Sequence, residues 1–402
     1  MVVDFNSYFA SVEQQMEPRL RGLPVAVVPM NVDSTCAIAA SYEAKKFGVK
    51  TGTRVSEARR MCPGLRIIVA RHERYVEYHH ALLAAIDSCI EVRKENVMSI
   101  DEVACELTGR LRAREEALAV ARRIKVVIAE KVGVCLRSSI GISTNVFLAK
   151  TASDMQKPDG LTVIAQEDLP GVLHRLELRD LCGIGENMEV RLHAAGIRTV
   201  EQLCAAPRHT LRAAWGGVEG GRMFDLLRGC AIPRPPTRHS SLGHSHVLPP
   251  RERNEDGARA VLHRLLQKAA MRLRHNGYLA GGLALNLKFL GHHRWSDDLT
   301  FRETSDTMEF IHALQMLWER RPQGRAPLAV GLTLFQLTNR ENVTPALFPE
   351  PRPREKLDLA LDALNKRYGK QTVYFAGAHA ALQSAPMRIA FTHIPDLETE
   401  GD

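Results

Sequence analysis

The segment VDFNSYFASVE, from Val3 to Glu13, opens on an apolar run that ends in an acid, Asp4. A second apolar run, Val97–Ile100, ends in the adjacent acids Asp101 and Glu102 within the tetrapeptide SIDE. Short apolar runs of this kind predict buried strands. Two such strands, each ending in acids, predict a sheet in which the carboxylates lie together at the ends of the strands.

The region behind these acids supplies the rest of such a sheet. Periodicity predicts helices over Glu115–Val132 and Val146–Ser153, and strands over Val103–Leu107 and Ser138–Ser143. This combination is typical of an α+β catalytic palm. On the residues alone an alternative stays open, in which SIDE is a solvated hairpin and Asp4 is a helix cap.

The three carboxylates suit nucleotidyl transfer. That reaction develops negative charge on the entering and leaving oxygens, and two divalent ions about 3.5 to 4 Å apart stabilise both. Magnesium prefers hard oxygen ligands and takes only one or two carboxylates beside substrate phosphates. Because neighbouring residues of a strand point to opposite faces, Asp101 and Glu102 need a turn or twist to direct both side chains inwards.

The longer motifs resemble a known family. VDFNSYFASVE and SIDE are similar to the two metal-binding motifs of the Y-family translesion DNA polymerases. Three further segments follow in family order over about the first 230 residues, and they resemble its fingers, palm and thumb: SYEAKKFGVKTGT (Ser41 to Thr53), SIGISTNVFLAKTASDMQKPDG (Ser139 to Gly160) and LCGIGENMEVRLHAAGIRTVEQL (Leu181 to Leu203).

The resemblance implies an α+β multidomain fold shaped as a right-hand polymerase with small fingers, a helix-hairpin-helix thumb and a β-α-β-β-α-β little finger. The expected bounds are 1–10 and 70–165 for the palm, 11–69 for the fingers, 166–230 for the thumb, 231–242 for a linker, 243–340 for the little finger and 341–402 for a C-terminal tail. Composition independently predicts a basic tether over Gly229–Pro250, where prolines and serines replace any amphipathic pattern.

Periodicity beyond the tether predicts the elements of the little finger. The expected strands are Tyr278–Leu290, Trp295–Phe301 and Leu328–Leu337, and the expected helices are Glu252–His275, Met308–Arg320 and, in the tail, Arg354–Tyr368. If Ser241–Val247 supplies a first strand, the order becomes β-α-β-β-α-β.

The resemblance also implies the site. Asp4, Asp101 and Glu102 are the expected catalytic residues and metal ligands, and the backbone carbonyl of Phe5 is a further ligand. The expected cofactor is a pair of Mg²⁺ ions, with Mn²⁺ as a substitute. Phe9 is the expected steric gate, whose ring collides with a ribose 2′-hydroxyl, the group that distinguishes the two sugars.

The expected nucleotide-binding residues are Tyr8, Tyr42, Lys45 and Lys150. An alternative from the residues alone is that the aromatic rings pack in helices and that the lysines are surface side chains. A bacterial branch of the family has arginine at position 45, and lysine keeps the charge but lacks the bidentate fork. Ala39 likewise replaces a hydroxyl residue of that branch, and Asn6 replaces a second acid.

Contacts to primer-template DNA are expected in two regions. Gly183 and Gly185 precede a predicted helix, and backbone N–H groups at such a terminus bind phosphate without reading sequence; a plain helical corner is the alternative. Lys288, Arg294 and Arg302 lie on or near little-finger strands. The formal charge of +8 agrees with a polyanionic partner.

A sliding clamp is a further candidate partner. The segment Pro345–Phe348 loosely resembles the apolar end of a clamp-binding peptide, through Leu347 and Phe348, although Thr344 stands where glutamine is expected. A loop that packs back on the domain is the alternative.

The predicted function is low-fidelity DNA synthesis past damaged bases, from deoxynucleoside triphosphates, by a monomer in the cytoplasm. No apolar run approaches the roughly 18 residues that cross a bilayer, and MVVDFNSYF lacks the marks of a secretory signal. Only three residues precede Asp4, which leaves a start further upstream open. Two alternatives remain: a polymerase-like accessory protein without turnover, and another palm enzyme such as a nucleotide cyclase.

Overall fold

A computed structural model of the chain describes residues 1–233, 240–291, 293–342, 353–369, 371–390 and 394–397. The chain divides into two compact units, Met1–Arg234 with Ile389–Ile394 and Pro235–Arg388 with Pro395–Asp402. The division lies within the segment predicted as a tether. The bounds of the separate palm, fingers and thumb stay predictions.

The first unit contains eight strands and ten α-helices among its described residues. The strands are β1 Val2–Phe5, β2 Val25–Val28, β3 Ala39–Ala40, β4 Arg66–Val69, β5 Val97–Ser99, β6 Glu102–Ala104, β7 Ser138–Ile142 and β8 Leu161–Val163. The helices are α1 Tyr8–Met16, α2 Tyr42–Lys45, α3 Val55–Met61, α4 His72–Asp87, α5 Arg114–Lys131, α6 Val146–Met155, α7 Glu186–Ala194, α8 Val200–Ala205, α9 Arg208–Trp215 and α10 Val218–Leu226.

The larger sheet of this unit has the strand order β5-β6-β1-β7-β8. Strand β1 is central and buried along its whole length, which explains its uninterrupted apolar start. Helix α6 packs against β1, β7 and β8. Gly141 permits that packing, because a Cβ there would lie 1.9 Å from the carbonyl oxygen of Ala149. Asn145 caps the same helix, its Oδ1 accepting from the Leu148 amide at 2.8 Å.

The second sheet of the unit is small, with the order β3-β2-β4. Strand β2 pairs with β3 in the antiparallel sense and with β4 in the parallel sense. A core of small side chains supports it, formed by Ala40, Ala44, Val49, Ala58 and Cys62. This compact layer falls within the region expected to form the fingers.

The second unit has the predicted element order. Its strands are β9 Ser241–Val247, β10 Tyr278–Phe289, β11 Arg294–Thr304 and β12 Pro327–Asn339, and its α-helices are α11 Glu255–His275, α12 Thr307–Arg320 and α13 Pro353–Tyr368. Up to β12 the sequence is β-α-β-β-α-β, which confirms the prediction. The strands form one antiparallel sheet in the order β11-β10-β12-β9.

One face of this sheet is covered by helices α11 and α12. Leu283, Leu285 and Leu287 of β10 alternate into a core that includes Leu265 and Phe310 from these helices. On the other face, called the open face, the described β11 residues Arg294, Ser296, Asp298 and Thr300 are exposed. Helix α13 belongs to the predicted tail. Its Asp362 forms an ion pair with Arg274 of α11, at 2.7 Å.

Candidate active site

The sheet register brings the predicted carboxylates together. In the antiparallel pair of β1 and β6, Asp4 lies directly opposite Glu102, and directly opposed side chains share one face. Ser99 pairs with Glu102 across the β5–β6 hairpin, so Ile100 and Asp101 form a two-residue turn. The sequence predicts a turn or twist at the adjacent acids Asp101 and Glu102, and this is that turn. It also ends β5 at Ser99, one residue before the predicted strand end.

The alternative in which SIDE is a solvated hairpin and Asp4 a helix cap is wrong in its essential part. SIDE is indeed a hairpin, but Ser99 and Ile100 are buried, and Asp4 is a strand residue that is 4% exposed. The amide of Phe5 donates to the carbonyl of Asp101 at 2.9 Å, which fastens the turn to the end of β1.

Two side chains fix the position of Asp101. The hydroxyl of Ser99 donates to Asp101 Oδ1 at 2.7 Å. From α4, buried His79 lies with Nδ1 2.8 Å from the carbonyl oxygen of Ile100, so Nδ1–H is the donor. Burial lowers the pKa of His79 to about 4, and the ring is therefore neutral at physiological pH. Ser99 and His79 therefore hold the turn, and the motif SIDE alone does not reveal these contacts.

Burial raises the pKa of Asp101 to about 6; the Ser99 hydrogen bond opposes this shift, and the neighbouring charges of Glu102 and Asp4 add to it. The carboxylates of Asp4, Asp101 and Glu102 repel one another, and a cation between them offsets that repulsion. The ammonium of Lys150 supplies this cation.

Lys150 and Lys157 neutralise the cluster. Lys150 Nζ contacts Asp4 Oδ2, lies 2.8 Å from Glu102 Oε1 and lies 3.0 Å from Asp154 Oδ1. Lys157 Nζ lies 2.8 Å from both Asp4 Oδ2 and Asp154 Oδ1. Burial alone would lower the pKa of Lys150, but the surrounding carboxylates outweigh burial and raise it.

The donor set fits hard divalent cations. Asp4, Asp101 and Glu102 line one cleft, and carboxylate oxygens are ligands that Mg²⁺ prefers. Among the residues that the structure describes, no three His, Cys, Asp or Glu side chains already surround a common point. The ammonium of Lys150 bridges the carboxylates of Asp4 and Glu102.

An aromatic wall borders the carboxylates. Phe9 is 4% exposed and stacks on Tyr75, with ring centroids 4.5 Å apart and planes inclined by 20°. The Tyr75 hydroxyl donates to Glu13 Oε1 at 2.7 Å, and Arg71 pairs with the same carboxylate. The Tyr8 hydroxyl donates to the Tyr75 carbonyl at 2.6 Å. The ring of Phe9 therefore rests on a rigid support, and the Tyr8 hydroxyl is already engaged.

A cleft joins this wall to the carboxylates and to the small sheet. Its lining comprises Asp4, Phe5, Ser7, Tyr8, Phe9, Ile38, Ala39, Tyr42, Lys45, Thr51, Asp101, Glu102, Lys150 and Lys157. Lys45 lies over the ring of Tyr42, with Nζ 4.5 Å from the centroid. All residues that the sequence nominated for metal and nucleotide binding therefore line one cleft. The methyl group of Ala39 faces it where a hydroxyl was expected.

The predicted helix-hairpin-helix glycines flank a turn. Gly183 has a φ of 88°, a conformation that glycine adopts without strain, and Gly185 is the N-cap of α7. Both residues are exposed. A second glycine turn at Gly196, with φ of 81°, leads towards α8. The first residues of α7, Glu186 and Asn187, are exposed as well, as a phosphate site at a helix N-terminus requires.

The little-finger cations lie on the open face of the sheet. Lys288 and Arg294 are directly opposed across β10 and β11, and Arg302 is exposed further along β11, where the register shifts. Opposed like charges are unfavourable without a counter-charge. Several basic residues of the α11 region are instead engaged within the unit. Arg274, for example, binds Asp362 through two hydrogen bonds of 2.7 and 2.8 Å.

Leu347 and Phe348 lie outside the described residues. The sequence interpretation also missed residues that the fold brings to the cleft. Lys157 and Asp154 lie in a segment that it assigned to the palm as a whole. Asp154 lies four residues after Lys150 on α6, a helical spacing that could have nominated it, whereas Lys157 lies beyond the end of that helix.

The chain matches known proteins along most of its length. The model of the impB/mucB/samB family matches residues 3–154, and the model of that family's C-terminal domain matches residues 239–347. DNA polymerase IV of Moorella thermoacetica is 36% identical over 385 residues, covering 94% of this chain and 95% of the relative. DNA polymerase IV 1 of Bacillus subtilis is 30% identical, covering 92% of this chain and 91% of the relative. The chain belongs to the Y family of DNA polymerases.

Solved structures of Y-family polymerases share its fold. A chimeric polymerase built on Dbh aligns with a TM-score of 0.72 at 24% identity, covering 84% of this chain and 98% of its own. DinB from Sulfolobus solfataricus aligns with a TM-score of 0.56 at 24% identity, over the same shares of each chain. The α+β architecture of palm, fingers, thumb and little finger expected from the sequence is therefore confirmed.

Membership settles the class of activity. The protein is a DNA-directed DNA polymerase of the translesion type, and the accessory protein without turnover is not favoured. Y-family polymerases depend on divalent metal ions. Among the described residues of this Y-family chain, no helix combines the length and the apolar character needed to span a bilayer.

Proposed function

We propose that this Y-family chain carries out its translesion DNA synthesis by two-Mg²⁺ nucleotidyl transfer at Asp4, Asp101 and Glu102. The observation that carries the proposal is the sheet register, which sets Asp4 opposite Glu102 while Asp101 occupies the adjoining turn. In the reaction, the primer 3′-hydroxyl attacks the α-phosphate of a deoxynucleoside triphosphate, and pyrophosphate leaves.

The protein's contribution is to hold charge and position. Asp4, Asp101 and Glu102, with the backbone carbonyl of Phe5, would hold the two ions. When bound, these ions stabilise the charge that develops on the entering and leaving oxygens, and Mn²⁺ substitutes for Mg²⁺. The Ser99 hydroxyl orients Asp101. Lys150 then exchanges its carboxylate partners for phosphate oxygens.

The incoming nucleotide occupies the cleft. Its triphosphate faces Tyr42, Lys45, Lys150 and Lys157, which line the cleft beside the carboxylates. The backbone at Tyr8 and the ring of Phe9 border the sugar. Phe9 fills the space that a ribose 2′-hydroxyl needs, and Tyr75 prevents the ring from yielding.

Primer-template DNA binds through its phosphates. Gly183 and Gly185 present the amides at the start of α7 to one backbone. Lys288 of β10, with Arg294 and Arg302 of β11, contacts another stretch. Contacts of this kind carry no sequence information, as a lesion-bypassing polymerase requires.

We further propose that the protein works as a monomer in the cytoplasm and binds a sliding clamp through Leu347 and Phe348. Support for clamp binding is limited to the apolar pair within residues 345–348.

Primer extension tests the proposed function. Wild-type protein with Mg²⁺ and deoxynucleotides is expected to extend a primer on an undamaged template and to insert a nucleotide opposite an abasic site. Omission of the metal is expected to stop both reactions. Binding of primer-template without any extension, across Mg²⁺ and Mn²⁺ concentrations, would instead favour the accessory role.

The substitution Lys45→Arg is expected to lower KM for the incoming nucleotide about fivefold with little change in kcat. Arginine restores a bidentate phosphate contact worth about 1 kcal/mol. Single-nucleotide insertion kinetics measure the effect. Lys46→Arg, on the adjacent residue outside the lining of the cleft, is the matched control. An unchanged KM in Lys45→Arg would remove position 45 from the triphosphate site.

Arg294→Ala is expected to weaken primer-template binding and to reduce the slope of log Kd against log salt by about 1, because one phosphate contact is lost. Fluorescence anisotropy at several salt concentrations gives the slope. Arg259→Ala removes an exposed arginine of α11, whose ion-pair partner is Asp256 at 3.4 Å, and leaves the slope unchanged. Equal slopes for both variants would exclude the open sheet face as the contact.

A further inference from the structure

Asn6 follows β1 and lies beside the catalytic carboxylates, yet its side chain is directed elsewhere. It is 2% exposed. Its Nδ2 donates to Ser139 Oγ at 3.1 Å, and its Oδ1 accepts from the amide of Asp159 at 2.7 Å. Both ends of the amide are therefore engaged by the protein. A residue in this state is an internal connector and is not available as a metal ligand.

Both partners of Asn6 take part in the hydrogen bonds that hold one loop, residues 156–160. The Ser139 hydroxyl, fully buried in β7, donates to the carbonyl of Gln156 at 3.1 Å and accepts from the amide of Gly160 at 3.2 Å. These two bonds fix the first and last residues of the loop. Asn6 holds Asp159, near its end.

A third side chain completes the fastening. Lys125 Nζ, from α5, donates to the carbonyl of Asp159 at 2.9 Å and pairs with Asp159 Oδ1 at 2.6 Å. Asp159 has a φ of 59°, in the left-handed region, which aspartate adopts more readily than most residues with a side chain. Asn6 holds its N–H group and Lys125 its C=O group.

The fastened loop carries Lys157. The ammonium of Lys157 lies 2.8 Å from Asp4 Oδ2, at the edge of the cleft. We propose that Asn6 is a positioning residue that, through Ser139 and Asp159, presets the Lys157 loop for the triphosphate of the incoming nucleotide. This inference rests on the proposed function, because it concerns the same cleft. It assigns Asn6 a role in nucleotide affinity and none in metal binding.

Insertion kinetics of four variants test the assignment: Asn6→Ala, Asn6→Asp, Lys157→Ala and the double variant. Asn6→Ala is expected to raise KM for the nucleotide about tenfold with a smaller effect on kcat, because a misplaced lysine binds phosphate poorly. Asn6→Asp retains the acceptor for the Asp159 amide and is expected to restore most of the affinity. The double variant is expected to be no worse than Lys157→Ala, because Asn6 acts through that lysine.

A purely structural role is separated by a matched control and a second readout. Asn254→Ala deletes an N-cap in the second unit, where Asn254 accepts from the Gly257 amide, and lowers stability without touching the cleft. Hydrogen exchange reports the Asp159 amide directly. Its protection is expected to fall in Asn6→Ala and to survive in Asn6→Asp and Asn254→Ala.

Three results would overturn the inference. They are additive losses in the double variant, a KM for Asn6→Ala equal to that of Asn254→Ala, and a Mg²⁺ requirement that shifts in Asn6→Ala while the nucleotide KM stays constant. The last would make Asn6 part of the metal site. If the wild type extends no primer, the proposed function fails and the nucleotide role of Asn6 falls with it, while the exchange experiment still decides whether Asn6 holds the loop.

Discussion

The variant Asp101→Asn is expected to lose Mg²⁺-dependent primer extension, with kcat/KM at least about 10³-fold lower than in the wild type. Divalent ions supply several kcal/mol of stabilisation to the developing charge, and each 1.36 kcal/mol is a factor of about ten. An amide in place of this carboxylate removes one of the three negative charges proposed to hold the metal ions. Single-turnover insertion on a primed template measures the loss.

The same substitution is expected to stabilise the metal-free protein. Folding raises the pKa of Asp101 to about 6, so the folded state disfavours the charged carboxylate. The cost of that charge is absent well below pH 4, grows as pH rises to about 6, and stays constant above it. Asparagine carries no charge, so the free energy of unfolding is expected to rise by up to about 3 kcal/mol. Thermal unfolding in EDTA at pH 5 and pH 8 should therefore show the larger gain at pH 8.

Loss of activity together with a gain of stability separates a functional carboxylate from a structural one. Asp87→Asn is the matched control, because Asp87 is an exposed residue at the end of α4 whose carboxylate accepts from the Val92 amide. That variant should keep wild-type activity. Retention of extension by Asp101→Asn would contradict the two-metal site, and a fall in stability at pH 8 would contradict the electrostatic account of Asp101.

The acids of this site could be predicted from sequence because local patterns encode them. An apolar run ending in an acid places Asp4 and SIDE at strand ends, and the strands β9 to β12 follow from regular alternation. Residues with long-range partners could not be found in this way. His79 reaches Ile100 only after α4 packs against the palm, and Tyr75 becomes the support of Phe9 only in the folded chain.

Asn6 illustrates the same limit. In the sequence it stands as a neutral substitute for an acid, close to the proposed metal ligands. Its function depends on Asp159, which is 153 residues away and meets it only through the pairing of β1 with β7. Local patterns report which strand a residue occupies, whereas the partner of a buried amide depends on the whole sheet.

The variant Phe9→Ala is expected to admit ribonucleotides, reducing discrimination against them about 100-fold. Phe9 lines the cleft, and its ring is held against Tyr75 at 4.5 Å. A side chain that cannot move aside excludes an extra hydroxyl by overlap, at a cost of about 1 to 3 kcal/mol. The ratio of kcat/KM for a deoxynucleotide to that for the matching ribonucleotide measures the change.

Truncation of a buried phenylalanine also weakens the fold, by about 3 to 5 kcal/mol, so stability must be separated from selectivity. Ile124→Ala creates a comparable defect in α5, away from the cleft, and should leave the discrimination ratio unchanged. A second variant, Tyr75→Leu, retains Phe9 but removes its stacking partner. If support of the ring produces the selectivity, this variant should relax discrimination partially. If Phe9→Ala still rejects ribonucleotides, another part of the cleft discriminates between the two sugars. The stack of Phe9 on Tyr75 then contributes to packing alone.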